Sequence, residues 1–233
     1  MPVGHTVAGP EPGTVLEPRT DPEEGRVWYA AYGSNMHLSR FDCYIRGGTP
    51  AGGARSYPGC RDRRRPERSL SVVLPGTMYF ALESTVWTGG MAFYDPQGEG
   101  EMPARAYLIT PSQFSDVSRQ EMRREPGVDL DLSEVLTHGR AQLGPGRYET
   151  LVSAGSIDGR PVLTFTAPHR AEEMDLNPPS AAYLRHLVSG LAEAHGWGVH
   201  RIAGYLATRP GADREWTPES IVTLIERAVD PAV

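Results

Sequence analysis

The apolar run Val27-Trp28-Tyr29-Ala30-Ala31 ends abruptly at Tyr32-Gly33-Ser34-Asn35, and this abrupt stop sets the scale of the whole fold. A short β-strand halted by a glycine turn leaves room for a helix directly after it. Ser34 and Asn35 are suited to cap such a helix over Met36-His37-Leu38-Ser39-Arg40-Phe41. The corner also aims several backbone N–H groups into one small volume, as suits an oxyanion or a carboxylate. Similar breaks recur throughout, with 26 glycines and 21 prolines in 233 residues. That usage favours many short elements and turns over long helices.

Further strands are expected at Ser69–Leu74 and Thr77–Leu82, read as a hairpin across Pro75-Gly76, then at Gly90–Tyr94 and Ala104–Ile109 with a turn at Asp95–Gly98. Thr110-Pro111-Ser112 opens a helix that runs to Met122. Gly146–Val152 and Pro161–Thr166 read as two strands joined at Asp158-Gly159. From Ser180 to His195, Tyr183, Leu184, Leu187, Val188 and Leu191 recur at three and four residues, the spacing of an amphipathic helix. Another helix is expected over Val199–Ala207. A last one, capped by Thr217 with Pro218 in its first turn, carries the apolar face Ile221, Val222, Leu224, Ile225, Ala228 and Val229, which can dock on its own domain or on a second chain. Strands followed by and interspersed with helices around one core indicate an α+β domain on a curled, mostly antiparallel or mixed sheet. The expected organisation is a disordered leader at residues 1–25, rich in Pro, Gly and Glu, a main domain at 26–208, and a linker with the C-terminal helix at 209–233.

A hydrophobic fraction of 39% supports a packed core, and a formal charge of −6 argues against a nucleic-acid binder. No apolar run reaches membrane-spanning length, and no secretory pattern opens the chain. Cys43 and Cys60 bracket a Gly-rich segment and could pair, but two free thiols of a cytoplasmic protein are the plainer reading. The histidines lack ligand spacing, and no Gly-x-Ser-x-Gly or phosphate-binding loop occurs, so neither a metal nor a cofactor is expected. The Arg61-Asp62-Arg63-Arg64-Arg65 run, with Arg55 and Arg68, is either a solvated loop or an anion-binding rim.

Four segments in order resemble the γ-glutamylcyclotransferase superfamily. They are Tyr32-Gly33-Ser34-Asn35-Met36, Trp87-Thr88-Gly89-Gly90-Met91-Ala92, Val117-Ser118-Arg119-Gln120-Glu121, and Pro179-Ser180-Ala181-Ala182-Tyr183-Leu184 with Gly190, Glu193, His195 and Gly196. The resemblance spans about residues 27–208 and implies a small mixed β-barrel flanked by helices. It implies an enzyme that lets a substrate's own α-amine attack its γ-carbonyl, releasing 5-oxoproline and a free amine. Glu121 is then the acid/base, and Tyr32, Gly33, Ser34, Asn35, Met36 and Tyr183 bind substrate. The chain departs from the family pattern at Ser118, where the family has Asp, at Met122, where Gly is usual, and at Phe165, where Tyr is frequent.

The chemistry is physically economical. An intramolecular amine needs no Ser-His pair, metal or activated water, and one buried carboxylate can take a proton from the ammonium and return it to the leaving amine. Glu125 is the nearby rival to Glu121, but Pro126 disfavours regular helix there. Two substrate classes fit, a γ-glutamyl amino acid or glutathione-like peptide and a larger γ-glutamylated amine or isopeptide, with the Arg-rich stretch favouring the second. Two other functions share the residues: an inactive module that binds an anion, and an amidohydrolase in which Glu121 activates water.

Overall fold

A computed structural model describes residues 25–50 and 55–229, the side chains of Ala228 and Val229 excepted, so the leader expected at the N-terminus falls outside the described residues up to residue 24. Strand β1 (Val27–Ala31) lies inside a six-stranded sheet, antiparallel to β5 (Glu101–Ile109) and parallel to β8 (Arg160–Thr166). Val27, Tyr29 and Ala31 enter one core cluster, and Trp28 and Ala30 enter another. Burial on both faces explains why this strand is apolar throughout and does not alternate.

The sheet is completed by β2 (Arg68–Pro75) beyond β5, and by β7 (Thr150–Ile157) and β6 (Arg140–Gln142) beyond β8. Helices α1 (Leu38–Arg46), α2 (Pro111–Glu121) and α3 (Ser133–His138) cover the Tyr29 side. The Trp28 side packs on α4 (Ala181–His195), α5 (Val199–Ala207) and α6 (Pro218–Val229). The α+β class and the mixed sheet are as the sequence implies. The six strands run from a β2 edge to a β6 edge, so hydrogen bonds do not close them into the expected barrel.

The expected β2–β3 hairpin is absent. Strand β2 pairs with β5, while β3 (Thr77–Ala81) pairs with β4 (Met91–Asp95) in a separate two-stranded sheet. Gly76 is the corner between the sheets, with φ +107° and space for a Cβ only 2.4 Å from the Asp95 carbonyl oxygen. The small sheet is tied to β8 where the Tyr94 N–H donates to Thr166 Oγ1 (2.9 Å) and that hydroxyl donates to the Tyr94 carbonyl (2.8 Å). Strand β7 starts later than expected, because the Gly146 N–H binds the Glu149 carboxylate and holds residues 146–149 in a loop. The Asp158-Gly159 hairpin forms as expected, with both residues at positive φ.

Helix α2 begins on a reciprocal cap between Thr110 and Gln113 with Pro111 in its first turn. Ile221 and Leu224 of α6 are buried in the core beside α4 and α5, so this helix docks on its own chain. Among the described residues no helix is long and apolar enough to cross a membrane.

A test of the packing arises at Gly204, inside α5, where an added Cβ meets nothing within 4 Å. Gly204→Ala is expected to stabilise the fold by roughly 0.4–1 kcal/mol, read as a melting temperature higher by about 2 °C.

Candidate active site

The ends of these elements converge on one cleft of about 790 Å³, open mouth included. The corner after β1 supplies Tyr32, Gly33, Ser34 and Asn35, α1 supplies Arg40 and Tyr44, and the last residue of α2 supplies Glu121. Phe165 on β8 and Tyr183 on α4 complete the floor and wall.

Glu121 keeps some accessible surface because it faces the cleft, and its carboxyl is nevertheless poorly hydrated. Burial raises its pKa above the ordinary glutamate value. A hydrogen bond from Tyr44, the charge of Arg40, a hydrogen bond from Asn35 and the charge of Arg55 pull the other way without cancelling it. The Asn35 Nδ2 donates to Glu121 Oε1 at 2.9 Å. Asn35 is itself held where its carbonyl accepts the Tyr107 hydroxyl at 2.7 Å. Its Oδ1 is buried with no partner, an acceptor beside the carboxylate that a bound N–H can satisfy.

Several residues serve differently from what the sequence suggests. Ser34 does not cap a helix; its Oγ accepts from Arg40 Nε at 2.7 Å, while His37 occupies the cap position of α1 without a side-chain capping bond. Met36 stays out of the cleft. It is buried in the core, and a Cβ on Gly190 of α4 would come within 2.8 Å of the Met36 Cβ, so the close crossing of α4 over this corner takes its side chain inward. The Tyr32 hydroxyl donates to the Phe165 carbonyl at 2.9 Å, tying the end of β1 to β8. Gly33 keeps space open, since a methyl there would lie 3.4 Å from the Tyr183 hydroxyl. Tyr183 belongs both to the core and to the cleft wall, and burial pushes its phenol up to about 12.

Four arginines also line the cleft: Arg40, Arg55, Arg123 and Arg147. Sequence reading singled out only Arg55, because the others stand apart in the chain and meet only through the fold. Arg40 is buried, hydrogen-bonded to Ser34 and to the Tyr57 hydroxyl (3.1 Å), and stacked 5.3 Å from the Trp87 ring. Tyr148, missed for the same reason, takes φ +60° and donates its hydroxyl to the Ala92 carbonyl at 2.9 Å.

Most of the rest of the Arg-rich run is paired with carboxylates, while Arg63 donates to the Pro58 carbonyl at 3.2 Å. Arg61 binds the fully buried Asp116 and also Asp129, Arg64 binds Asp62, Arg65 binds Asp42, and Arg68 binds Asp158. Gln113 adds bonds to the carbonyls of Asp62 and Arg64. Since Gln113 and Asp116 belong to α2, this segment lashes down the helix that carries Glu121. Cys43 and Cys60 are both free. At the departures from the family pattern, the Ser118 hydroxyl bonds back to the Phe114 carbonyl, Met122 packs on the core at the end of α2, and Phe165 stacks 5.2 Å from Tyr29.

No protein-family model matches the chain. It is 33% identical over 196 residues to histone deacetylase 5 of Arabidopsis thaliana, a match covering 75% of this chain and 29% of that protein. The chain thus spans less than a third of the length of that curated relative. Similar solved structures include an uncharacterized human protein, 16% identical with a TM-score of 0.47, and a γ-glutamyl cyclotransferase, 14% identical with a TM-score of 0.46. Each of these covers 87% of this chain and 99% of its own. YkqA of Bacillus subtilis is 18% identical with a TM-score of 0.37, covering 90% of this chain and 55% of its own.

Proposed function

We propose that this chain is a γ-glutamyl-amide cyclotransferase with Glu121 as its acid/base. One observation carries the reading: among the described residues lining the cleft, Glu121 is the one carboxylate, and no His or Cys accompanies it. The two serines in the lining are engaged, Ser34 by Arg40 and Ser84 by the N–H groups of Val86 and Trp87. A cleft with one high-pKa acid and no base-activated nucleophile of its own suits a substrate that brings its nucleophile with it.

In this mechanism Glu121 takes a proton from the substrate's α-ammonium, helped by Asn35 Oδ1 as acceptor of a second N–H. The freed amine attacks the γ-carbonyl carbon and forms a five-membered ring. The N–H groups of Ser34 and Asn35, which open a helical turn and have no intrahelical acceptor, stabilise the oxyanion. Glu121 returns that proton to the amide nitrogen, and the C–N bond breaks. Glu121 then passes the remaining surplus proton of the ring nitrogen to the departing amine, so that 5-oxoproline leaves with a neutral lactam N–H and the amine leaves as its ammonium. Holding the glutamyl chain folded supplies about 7–11 kcal/mol of the barrier at most. Arg40 and Arg55, whose charges act on Glu121, are placed to hold the glutamyl α-carboxylate. The two free thiols fit a reducing, cytoplasmic setting. The deacetylase activity in the Arabidopsis relative's name belongs to a protein of which this chain spans under a third. Among the described residues no three His, Cys, Asp or Glu side chains are grouped to hold a metal.

Mass-spectrometric product analysis with γ-glutamyl amino acids, γ-glutamyl amines and ε-(γ-glutamyl)lysine tests the reading. 5-Oxoproline is the expected product. Free glutamate in its place would mean that Glu121 activates water, and no product from any substrate would leave only a binding role.

A further inference from the structure

We infer that the amine released by this enzyme is itself dianionic, and that Arg123 and Arg147 recognise it. The inference rests on the cyclotransferase reading and names its substrate class. Charge is the starting observation. The cleft brings four guanidinium groups around one carboxylate, and among the described residues none of the four forms an ion pair. That leaves three positive charges in excess with Glu121 ionised, and four when it carries the proton. The γ-glutamyl half of a substrate cannot balance this, because its α-carboxylate and α-ammonium cancel. The missing negative charge must come from the leaving amine.

Position divides the arginines into two pairs. Arg40 donates to Ser34 and to the Tyr57 hydroxyl and Arg55 lies 5.3 Å from the same Tyr57 ring, so both belong to the end of the cleft beside the Ser34 corner, where their charges also act on Glu121. Arg123 and Arg147 reach instead to the segment across the cleft mouth. Arg123 Nη2 donates to the Thr85 hydroxyl, and Arg147 Nη1 donates to the Glu83 carbonyl at 3.2 Å and lies 3.4 Å from Met91 Sδ. The nearby Glu83 carboxylate forms no ion pair with either; its oxygens are turned to the Gly89 N–H and the Asn177 side chain. Arg123 and Tyr148 both sit at positive φ, at +59° and +60°. These strained conformations follow Glu121 and Arg147 closely in the chain and fix the backbone that presents each guanidinium. Each planar fork can bind a carboxylate or a phosphate oxygen pair. Two such forks around the departing nitrogen match an amino dicarboxylate such as glutamate, or an amine bearing a phosphate.

Competing substrates separate these sources. kcat/KM for 5-oxoproline release is measured with γ-glutamyl-ethylamide, γ-glutamyl-alanine, γ-glutamyl-glutamate and γ-glutamyl-O-phosphoethanolamine. The expected order rises about tenfold for each negative charge seated on the leaving amine. A higher rate with glutamate than with the phosphate assigns the site to dicarboxylates, and the reverse assigns it to phosphorylated amines. The preference should shrink as salt rises from about 0.01 M to about 1 M, because Arg123 is exposed. In the double variant Arg123→Ala/Arg147→Ala the ratio between γ-glutamyl-glutamate and γ-glutamyl-ethylamide should collapse toward one. If that variant does not fold, the salt dependence of the wild-type ratio decides. Equal kcat/KM across the panel, or a ratio indifferent to salt and to both substitutions, overturns this inference while leaving the cyclotransferase intact. Absence of 5-oxoproline from every substrate overturns the cyclotransferase reading and this inference with it.

Discussion

Glu121→Gln is expected to lower 5-oxoproline release by about 10²–10⁴-fold, the usual contribution of a positioned acid/base, while leaving a protein at least as stable as the parent at neutral pH. The two halves of this result have one cause. Burial raises the Glu121 pKa, and Tyr44, Arg40, Asn35 and Arg55 together do not offset it. A carboxyl whose folded pKa exceeds its unfolded value keeps its proton longer in the folded state. Its contribution to stability is complete below the unfolded value near 4.5 and is lost as pH rises through the raised folded value. Gln is isosteric, stays neutral at every pH, and still offers an oxygen to Asn35 Nδ2. The melting temperature of the variant minus that of the wild type should therefore grow from about pH 4 upward and then level off. The same raised pKa places the acidic limb of wild-type kcat/KM above the ordinary glutamate range, since the ammonium proton needs an ionised Glu121 to receive it. Unchanged turnover in the variant would remove Glu121 from the chemistry. A variant that loses stability as pH rises would mean that the carboxylate is well solvated and not primed for proton transfer.

Much of this arrangement can be read from local pattern. The corner after β1, the apolar spacing of α4, the Thr110-Pro111 start of α2 and the Asp158-Gly159 turn each depend on residues adjacent in the chain. Pairing is different. Pro75-Gly76 carries the chemistry of a turn, yet whether a turn closes a hairpin or moves the chain between sheets depends on what packs beyond it. Here that is Asp95, about twenty positions away. The candidate site divides along the same line. Glu121 and Asn35 stand in compact motifs and are brought within hydrogen-bond distance. Met36 shares the Asn35 motif but turns to the core, because one step around a helical turn changes which layer a side chain faces. Arg40, Arg123 and Arg147 lie in three separate segments with no common spacing, so their shared charge emerges only in the folded chain. The Arg61 to Arg68 run, conspicuous in the sequence, is mostly neutralised by Asp residues, many of them distant in the chain.

Gly90→Ala is expected to destabilise the protein by about 3–5 kcal/mol, and the reason is space rather than backbone freedom. A Cβ built at Gly90 lies 1.9 Å from the Asn177 carbonyl oxygen, 2.9 Å from its carbon and 3.2 Å from Phe80 Cβ. The obstructing group is backbone that cannot swing aside. The Asn177 N–H donates to the Phe80 carbonyl at 3.0 Å, the Gly90 N–H donates to the Pro178 carbonyl at 2.8 Å, and bridges at Ala81–Leu176 and Gly89–Pro179 flank them. Seating a methyl means moving this crossing segment by more than an ångström and breaking at least the first two bonds. For a chain of this size the loss amounts to a fall of about 10 °C in melting temperature. The direction is opposite to that for Gly204→Ala, where the same chemical change meets open space. Function should fall with stability, because the segment leads directly into the Ser180 cap of α4, which carries Tyr183, and Gly89 and Gly90 lie two and three residues after Trp87 at the cleft. A melting temperature within about 2 °C of wild type would mean that residues 176–179 do not lie across Gly90. Lowered kcat at unchanged stability would instead assign the Gly89-Gly90 pair to the site, where the present geometry assigns it to the close crossing of two backbones.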